Sequence, residues 1–334
     1  MTFRSATVVL AASLLTAFAQ SPQSVASPQH AAHKRAAVQR AVVPPTPCGG
    51  DATLSISGPS ASQGGLLLAT LNAKSPLTSV HAKWDTQEIS FWQSAQVSSH
   101  ASSSASFSPT RPQIWHALVP VDLEKAPGDY TFAVDLQPPP TPMSSANCQI
   151  TIHVTLGNFA TESLKVAPQF VEPDPGQLAR AKEEAHRLRD IYATITPDKL
   201  WQGPFRVPLT GRTSGANFGR RRVLNGEPSS PHTGVDFPAP TGTPVHAAQA
   251  GRVVLAEPLY FGGNSVLIDH GWGVYTLYCH LSVISVRVGD ALPSGALLGK
   301  VGATGRVTGP HLHWGLDIAG ARVNALQILK FSGF

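Results

Sequence analysis

Four histidines and one aspartate lie in three short blocks in the last third of this 334-residue chain. The blocks are Pro231 to Phe237, Tyr278 to Leu281 and Gly309 to Trp314, and they contain His232, Asp236, His280, His311 and His313. Imidazoles and a carboxylate can hold zinc with three ligands and leave its fourth tetrahedral position to water. Two histidines then remain for proton transfer or for stabilising a developing oxyanion. The set therefore predicts a metal-dependent hydrolytic site.

The spacing of these residues limits how their side chains can meet. Residues two apart in a strand share a face and lie about 6.6–6.8 Å apart, so one of His311 and His313 can bind a metal while the other reaches water or substrate. In a straight strand His232 and Asp236 would be about 13 Å apart, so the chain must fold back between them. We expect Gly234 to allow this by taking a positive φ.

The blocks resemble the motifs of the lysostaphin-type zinc endopeptidases, peptidase family M23, whose catalytic part is also called the LytM domain. His-x-Gly-x-Asp, Tyr-x-His-Leu and Gly-Pro-His-Leu-His occur here in that order, within a resemblance that covers about residues 205–329. The resemblance implies Zn²⁺ ligands at His232, Asp236 and His313, and a catalytic pair at His280 and His311 whose roles are not divided. It also implies a metal-activated water that hydrolyses peptide cross-links of bacterial peptidoglycan. Cross-links of D-amino acids and glycine bridges both stay open as targets.

The elements around the blocks predict an all-β protein with two domains. Short alternating runs in residues 48–157 predict an N-terminal, immunoglobulin-like β-sandwich. Residues 158–200 predict a linker with a helix, because Asp174 to Gln177 form a capping box with proline at the first turn and an apolar stripe follows. Glycine-punctuated runs in residues 201–334 predict a compact antiparallel β catalytic domain. The predicted strands are 53–57, 65–71, 116–121, 130–136 and 149–156, then 252–256, 265–268, 274–278, 297–301 and 313–318.

The N-terminus predicts export to the periplasm or the medium. Arg4 precedes an apolar run that ends in a small-x-small sequence, which predicts a signal peptide at residues 1–19, with an uncleaved anchor as the alternative. Residues 20–47 predict a flexible tether. No later segment is long and apolar enough to span a bilayer, so we expect no integral membrane segment after cleavage. The net charge of +5 becomes +5 − 1 = +4 without Arg4, and no Lys/Arg block predicts nucleic-acid binding.

Three cysteines and two asparagines have open roles. Cys48 and Cys148 flank the first β-rich segment and can pair in an oxidising compartment. Cys279 is left over, and we expect a buried small side chain rather than a zinc ligand. Latent members of the resembling family use an asparagine as an occluding ligand, so Asn217 or Asn225 can lie near the metal. An ordinary turn residue is the stronger expectation for both.

Two rival functions have partial support. Some LytM-domain proteins have lost zinc ligands and act as binding modules that activate cell-wall amidases, whereas this chain keeps the whole set. Residues 242–253 resemble half of the motif of biotinyl and lipoyl carriers, but no lysine occurs between Leu200 and Lys300, which excludes a carrier. Peptidoglycan is thus the expected partner, and a regulatory protein partner stays open.

Overall fold

The computed structural model describes residues 44–49, 51–94, 112–137, 146–167, 171 and 173–331. The predicted signal peptide and the tether up to residue 43 lie outside the described residues. Among the described helices, none combines the length and hydropathy needed to cross a bilayer. The regular secondary structure of the described residues is nearly all β, as predicted.

Two five-stranded sheets pack face to face in the N-terminal part. The strands are β1 (Thr46–Pro47), β2 (Ala52–Ile56), β3 (Ser60–Ser62), β4 (Leu66–Ala73), β5 (Ser79–Trp84), β6 (Gln87–Ser90), β7 (Trp92–Gln93), β8 (Gln113–Pro120), β9 (Gly128–Gln137) and β10 (Ala146–Thr155). The sheet orders are β1-β2-β4-β8-β7 and β3-β10-β9-β5-β6. All pairs are antiparallel except β3 with β10. Apolar side chains on alternate positions of both sheets meet in one core, so period-two patterning produces the predicted sandwich.

The end of the predicted tether belongs to this sandwich. Thr46–Pro47 forms β1 and pairs with Leu54 and Thr53 of β2, so the tether prediction was wrong for these residues. Directly after β1, Cys48 is disulfide-bonded to Cys148 of β10, which confirms the predicted pair and links the two sheets. Short edge strands such as β1 carry too few residues for their alternation to be recognised in a sequence.

The linker contains a strand as well as the predicted helix. Strand β11 (Thr161–Leu164) pairs in parallel with Arg221–Leu224. Helix α1 (Pro175–Ala193) begins with the expected capping box, in which the Asp174 carboxylate accepts from the Gln177 backbone N–H and the Gln177 side chain accepts from the Asp174 backbone N–H. Leu188 and Ile191 of its apolar stripe pack on the strands of the C-terminal part, against Leu255 and Tyr275. The stripe therefore predicted the face by which the helix docks.

A nine-stranded antiparallel sheet forms the C-terminal part. The strands from residue 221 onward are β12 (Arg221–Leu224), β13 (Glu227–Ser229), β14 (Gly234–Pro238), β15 (Pro244–His246), β16 (Gly251–Leu259), β17 (Gly263–Asp269), β18 (Val274–Ile284), β19 (Ala291–Leu292), β20 (Leu297–Val301), β21 (His311–Ile318) and β22 (Ala321–Val323). The main order is β14-β21-β18-β17-β16-β19, with β20 joined to β15 and β18 and β22 joined to β21. Strands β11, β12 and β13 make a separate three-stranded sheet. All five strands predicted in this part of the chain are present. Residues 234–238, where a chain reversal was expected, form strand β14 instead.

The sandwich packs directly on the C-terminal sheet. Leu66 and Leu118 share one buried core with Trp201. At the same contact Arg322 donates from Nε and Nη2 to the two carboxylate oxygens of Asp122, at 3.0 and 2.7 Å. Apolar burial and a two-bonded ion pair together hold the sandwich in place. The domain limits drawn from the sequence stay a prediction.

Candidate metal centre

Strand pairing brings the three sequence blocks together. The block with His311 and His313 lies between the block with Asp236 and the block with His280. β14 runs antiparallel to β21, with Asp236 opposite His313. β18 lies on the other side of β21, with Cys279 opposite His313 and His280 next along the chain. His232 precedes β14 by two residues and is 1% exposed. All five predicted site residues therefore gather at the end of three adjacent strands.

Three ligand atoms converge on one point. His232 Nε2 lies 2.8 Å from His313 Nδ1 and 3.1 Å from Asp236 Oδ1. His313 Nδ1 is also 3.1 Å from Asp236 Oδ1. Bonds of about 2.0–2.1 Å to a tetrahedral zinc ion place two ligand atoms roughly 3.3 Å apart. The side chains thus already have nearly the separations that a single shared ion requires, and they form a group that can hold a metal.

The protons available to these three atoms are too few to satisfy them. His232 Nδ1 lies 3.0 Å from the Asn217 carbonyl oxygen, to which only an N–H can donate, so neutral His232 offers a lone pair at Nε2. Burial lowers the pKa of His313 to about 4, so this imidazole is neutral at pH 7 and offers at most one N–H. Burial acts to raise the pKa of Asp236, but its close contacts with His232 and His313 hold that pKa far below its usual range. A carboxylate oxygen and two imidazole nitrogens facing one another fit a cation.

Gly234 acts through space rather than through its backbone angle. It lies in β14 and is not among the residues with positive φ, so the predicted chain reversal at this glycine was wrong. His232 reaches Asp236 because it lies before the strand begins. A Cβ at position 234 would stand 2.6 Å from His313 Nε2 and 2.7 Å from the Trp314 carbonyl oxygen. Only glycine leaves room for the His313 ring at this point.

His280 and His311 flank the three converging residues. Nδ1 of His280 lies 2.8 Å from the Thr304 carbonyl oxygen, and Nδ1 of His311 lies 2.8 Å from that of Gly309. Each ring therefore donates from Nδ1 and keeps its lone pair at Nε2. His311 Nε2 is 3.7 Å from Asp236 Oδ1. The two ring centroids are 4.8 Å apart. Such a pair can accept and donate protons on one bound group.

Backbone strain at His280 changes the direction of its side chain. Its φ is +64°, a left-handed conformation that costs a non-glycine residue roughly 1–3 kcal/mol. The strand alternation is broken there, so Cys279 and His280 line the same cleft instead of opposite faces. Burial, and then the neighbouring His313 and His311, lower the pKa of His280 to about 3, which keeps the ring neutral. Cys279 is buried, as predicted, and burial raises its pKa to about 12.

The two asparagines differ. Asn217 donates from Nδ2 to Asp236 Oδ2 at 2.7 Å and accepts from the Asp236 backbone N–H at 3.0 Å. It therefore fixes the orientation of the carboxylate, which the expectation of an ordinary turn residue missed. Asn225 has a positive φ between β12 and β13 and bonds both ways with the Val166 backbone, so it is the turn residue expected.

Two clefts open on either side of the metal centre. A cleft of about 220 Å³ lies under helix α1, and one of about 290 Å³ lies beside β11. His280, Arg222 and Arg306 line both clefts. Neither arginine was recognised from the sequence. Only the arrangement of β12 and the loop before β21 brings both side chains to the same two clefts.

Comparison with known proteins gives consistent matches. Residues 230–325 match the family model of peptidase family M23. The chain is 46% identical over 138 residues to the peptidoglycan DD-endopeptidase ShyA of Vibrio cholerae, covering 41% of this chain and 32% of that protein. It is 45% identical over 97 residues to the DD-carboxypeptidase/endopeptidase Mpg of Neisseria meningitidis, covering 29% of this chain and 22% of that protein. The chain thus spans about a third or less of the length of these relatives.

One solved structure is similar over most of the chain. A Pseudomonas aeruginosa protein described as a candidate M23 peptidase matches with a TM-score of 0.52 and 26% identity, covering 82% of this chain and 96% of that one. The likeness therefore reaches beyond the matched peptidase segment into the N-terminal β part.

Proposed function

We propose that this chain, which contains a peptidase family M23 domain, is a zinc-dependent endopeptidase that cleaves peptide cross-links of bacterial peptidoglycan in the cell envelope. The observation that carries the proposal is the convergence of His232, Asp236 and His313 within 2.8–3.1 Å of one another, with His280 and His311 beside them. The site opens into clefts on both sides, as an enzyme acting within a chain requires.

The relatives favour cross-links of D-amino acids over glycine bridges. ShyA is named a DD-endopeptidase and Mpg a DD-carboxypeptidase/endopeptidase. A DD bond joins two D-residues, so we propose this bond class as the target. A substrate of this kind places the enzyme outside the cytoplasm, in agreement with the predicted export signal.

Each site residue has a separate proposed role. His232, Asp236 and His313 hold the zinc ion, and Asn217 fixes the carboxylate of Asp236. Bound zinc supplies a Lewis acid for the scissile carbonyl and lowers the pKa of water. His280 and His311 present Nε2 to the reacting group, one to take a proton and one to donate a hydrogen bond to the developing oxyanion. Their backbone carbonyl partners hold both rings in this tautomer.

The test is digestion of purified peptidoglycan with identification of the fragments by mass. We expect cleavage at DD bonds, loss of activity after chelation and recovery with zinc. His313→Ala should lose zinc and activity together, whereas His280→Ala and His311→Ala should lose turnover and keep most of the zinc, as measured by elemental analysis. His153→Ala is the control, because the ring of this exposed sandwich histidine bonds to Asp129 and takes no part in the metal centre.

Two outcomes would contradict the proposal. Loss of zinc in His280→Ala or His311→Ala would refute the division into ligands and catalytic residues. If His313→Ala lost its metal but kept its full effect on cell walls, the alternative function would replace the proposal, namely a non-catalytic module that activates a cell-wall amidase.

A further inference from the structure

Two arginines meet beside the metal centre without enough acidic groups to balance them. Within the described part of the chain, only Arg222, Arg306 and His280 line both clefts. Burial and then the charge of Arg222 lower the pKa of Arg306 to about 10. Both guanidinium groups stay positive at neutral pH, so a doubly charged pocket lies next to the proposed catalytic residues.

The acidic side chains nearest to Arg222 are committed to other partners. Its Nη2 is 3.9 Å from Asp236 Oδ2, and that carboxylate already faces the proposed zinc ligands. Glu162 lies nearby but is hydrogen-bonded to Arg220 at 3.0 Å. Nε of Arg222 is buried and has no hydrogen-bond partner among the described residues. A side chain that is only 20% exposed thus keeps an unsatisfied donor.

Arg306 is held in place by an aromatic ring rather than by an acid. Its guanidinium carbon lies 4.3 Å from the centroid of the Phe261 ring, and no acidic group within the described ranges forms an ion pair with it. Glu184 also lines this cleft, but it accepts from Arg180 and from the Tyr260 backbone N–H. Stacking fixes the plane of a guanidinium and leaves its N–H edge available to a ligand.

We infer that Arg222 and Arg306 form a subsite for a carboxylate of the substrate, on the residue that supplies the amine of the scissile amide. The inference rests on the proposed function. Two planar donor groups match the two oxygens of a carboxylate, and such charge-assisted bonds are short and strong where water is excluded. A DD bond whose leaving residue carries a free carboxylate would place that group next to the zinc ligands. The subsite therefore selects cross-links with a free carboxylate over those in which it is amidated.

The experiment compares three synthetic cross-linked stem peptides with the zinc-loaded full chain. One has all carboxylates free, one is amidated only at the residue beside the scissile amine, and one only at the distant C-terminus. We expect amidation beside the scissile bond to lower kcat/KM roughly 10- to 100-fold, with little change from distant amidation. A larger effect of the distant group would overturn the placement of the subsite.

A variant then tests the arginine itself. Arg306→Gln should lower kcat/KM on the free peptide to the level of the amidated one, with little further loss on the amidated peptide and unchanged zinc content. Arg252→Gln is the matched control, since Arg252 is exposed on β16 and its guanidinium donates to the Gly289 carbonyl. Equal losses on free and amidated peptides would overturn the inference.

Binding provides a second measurement that needs no turnover. Titration calorimetry with the amine-side product should give a Kd roughly tenfold or more lower for the free than for the amidated form, and Arg306→Gln should abolish the difference. If no peptide is cleaved, the proposed function fails, and equal product affinities would then refute the carboxylate subsite separately.

Discussion

Replacement of Gly234 by alanine tests whether the His313 ring is held where the metal centre needs it. The added Cβ would stand 2.6 Å from His313 Nε2, whereas Cβ contacts under 3.0 Å essentially do not occur and ordinary ones begin at 3.4 Å. An ordinary contact therefore needs the ring or the strand to move by about 3.4 − 2.6 = 0.8 Å. The Trp314 carbonyl oxygen, 2.7 Å away, blocks movement of β14 toward β21. Metal–ligand distances tolerate changes of only about 0.2 Å. The ring displacement is several times larger.

We therefore expect Gly234→Ala to lower zinc affinity by at least about 100-fold. Overpacking should lower the free energy of unfolding of the zinc-free protein by about 1–3 kcal/mol. Zinc titration calorimetry measures the first effect and urea unfolding in chelator measures the second. If a ligand is displaced, the loss in zinc-binding free energy should exceed the loss in the free energy of unfolding.

Gly315→Ala is the matched control, because Gly315 lies directly opposite Gly234 in the strand pair. A Cβ there would meet Leu277 at 3.4 Å and His313 Nε2 only at 4.0 Å, which are ordinary contacts. We expect zinc affinity close to that of the unmodified protein. Wild-type zinc affinity in Gly234→Ala, or an equal loss in Gly315→Ala, would refute the packing argument.

Three further predictions concern the surroundings of the site. Asn217→Ala should lower zinc affinity about 10- to 100-fold in a zinc titration, because Asp236 loses its two bonds to Asn217. Asn225→Ala should not, because the side chain of Asn225 bonds to the Val166 backbone and not to a proposed ligand. Reduction of the Cys48–Cys148 disulfide, which closes a span of 100 residues, should lower the free energy of unfolding by about 2–5 kcal/mol in urea melts, and no change would contradict its role in the sandwich. Burial lowers the pKa of His270 to about 4, so the unfolded chain binds a proton below pH 6.5 that the folded chain refuses. Stability should thus fall by about 1.4 kcal/mol per pH unit from pH 6.5 to 4 through this group, and an unchanged slope in the His270→Asn variant would refute the assignment.

The candidate site was predictable because its residue types and spacings are local properties of the chain. His232, Asp236, His280, His311 and His313 were recognised as one set, and the structure brings them together. The same holds for the capping box of α1 and for strands long enough to alternate, such as β9 and β10. These features depend on neighbours within a few residues, where side-chain periodicity and backbone preferences act directly.

Other features depend on contacts between distant residues and could not be derived in that way. Gly234 leaves space for a side chain instead of forming a turn, because the strand register places it beside His313, 79 positions later in the chain. The positive φ of His280 and the pairing of linker strand β11 with β12 also depend on contacts between residues that are distant in the sequence.

The sequence by itself determined the chemical groups, their order and the β character of the protein. Tertiary structure decided the separations between ligand atoms, the meeting of Arg222 with Arg306, and the cleft that joins them to His280. The physical reason is that strand register and packing fix side-chain positions to within tenths of an ångström. That precision comes from many long-range contacts acting together, and no short stretch of the chain contains it.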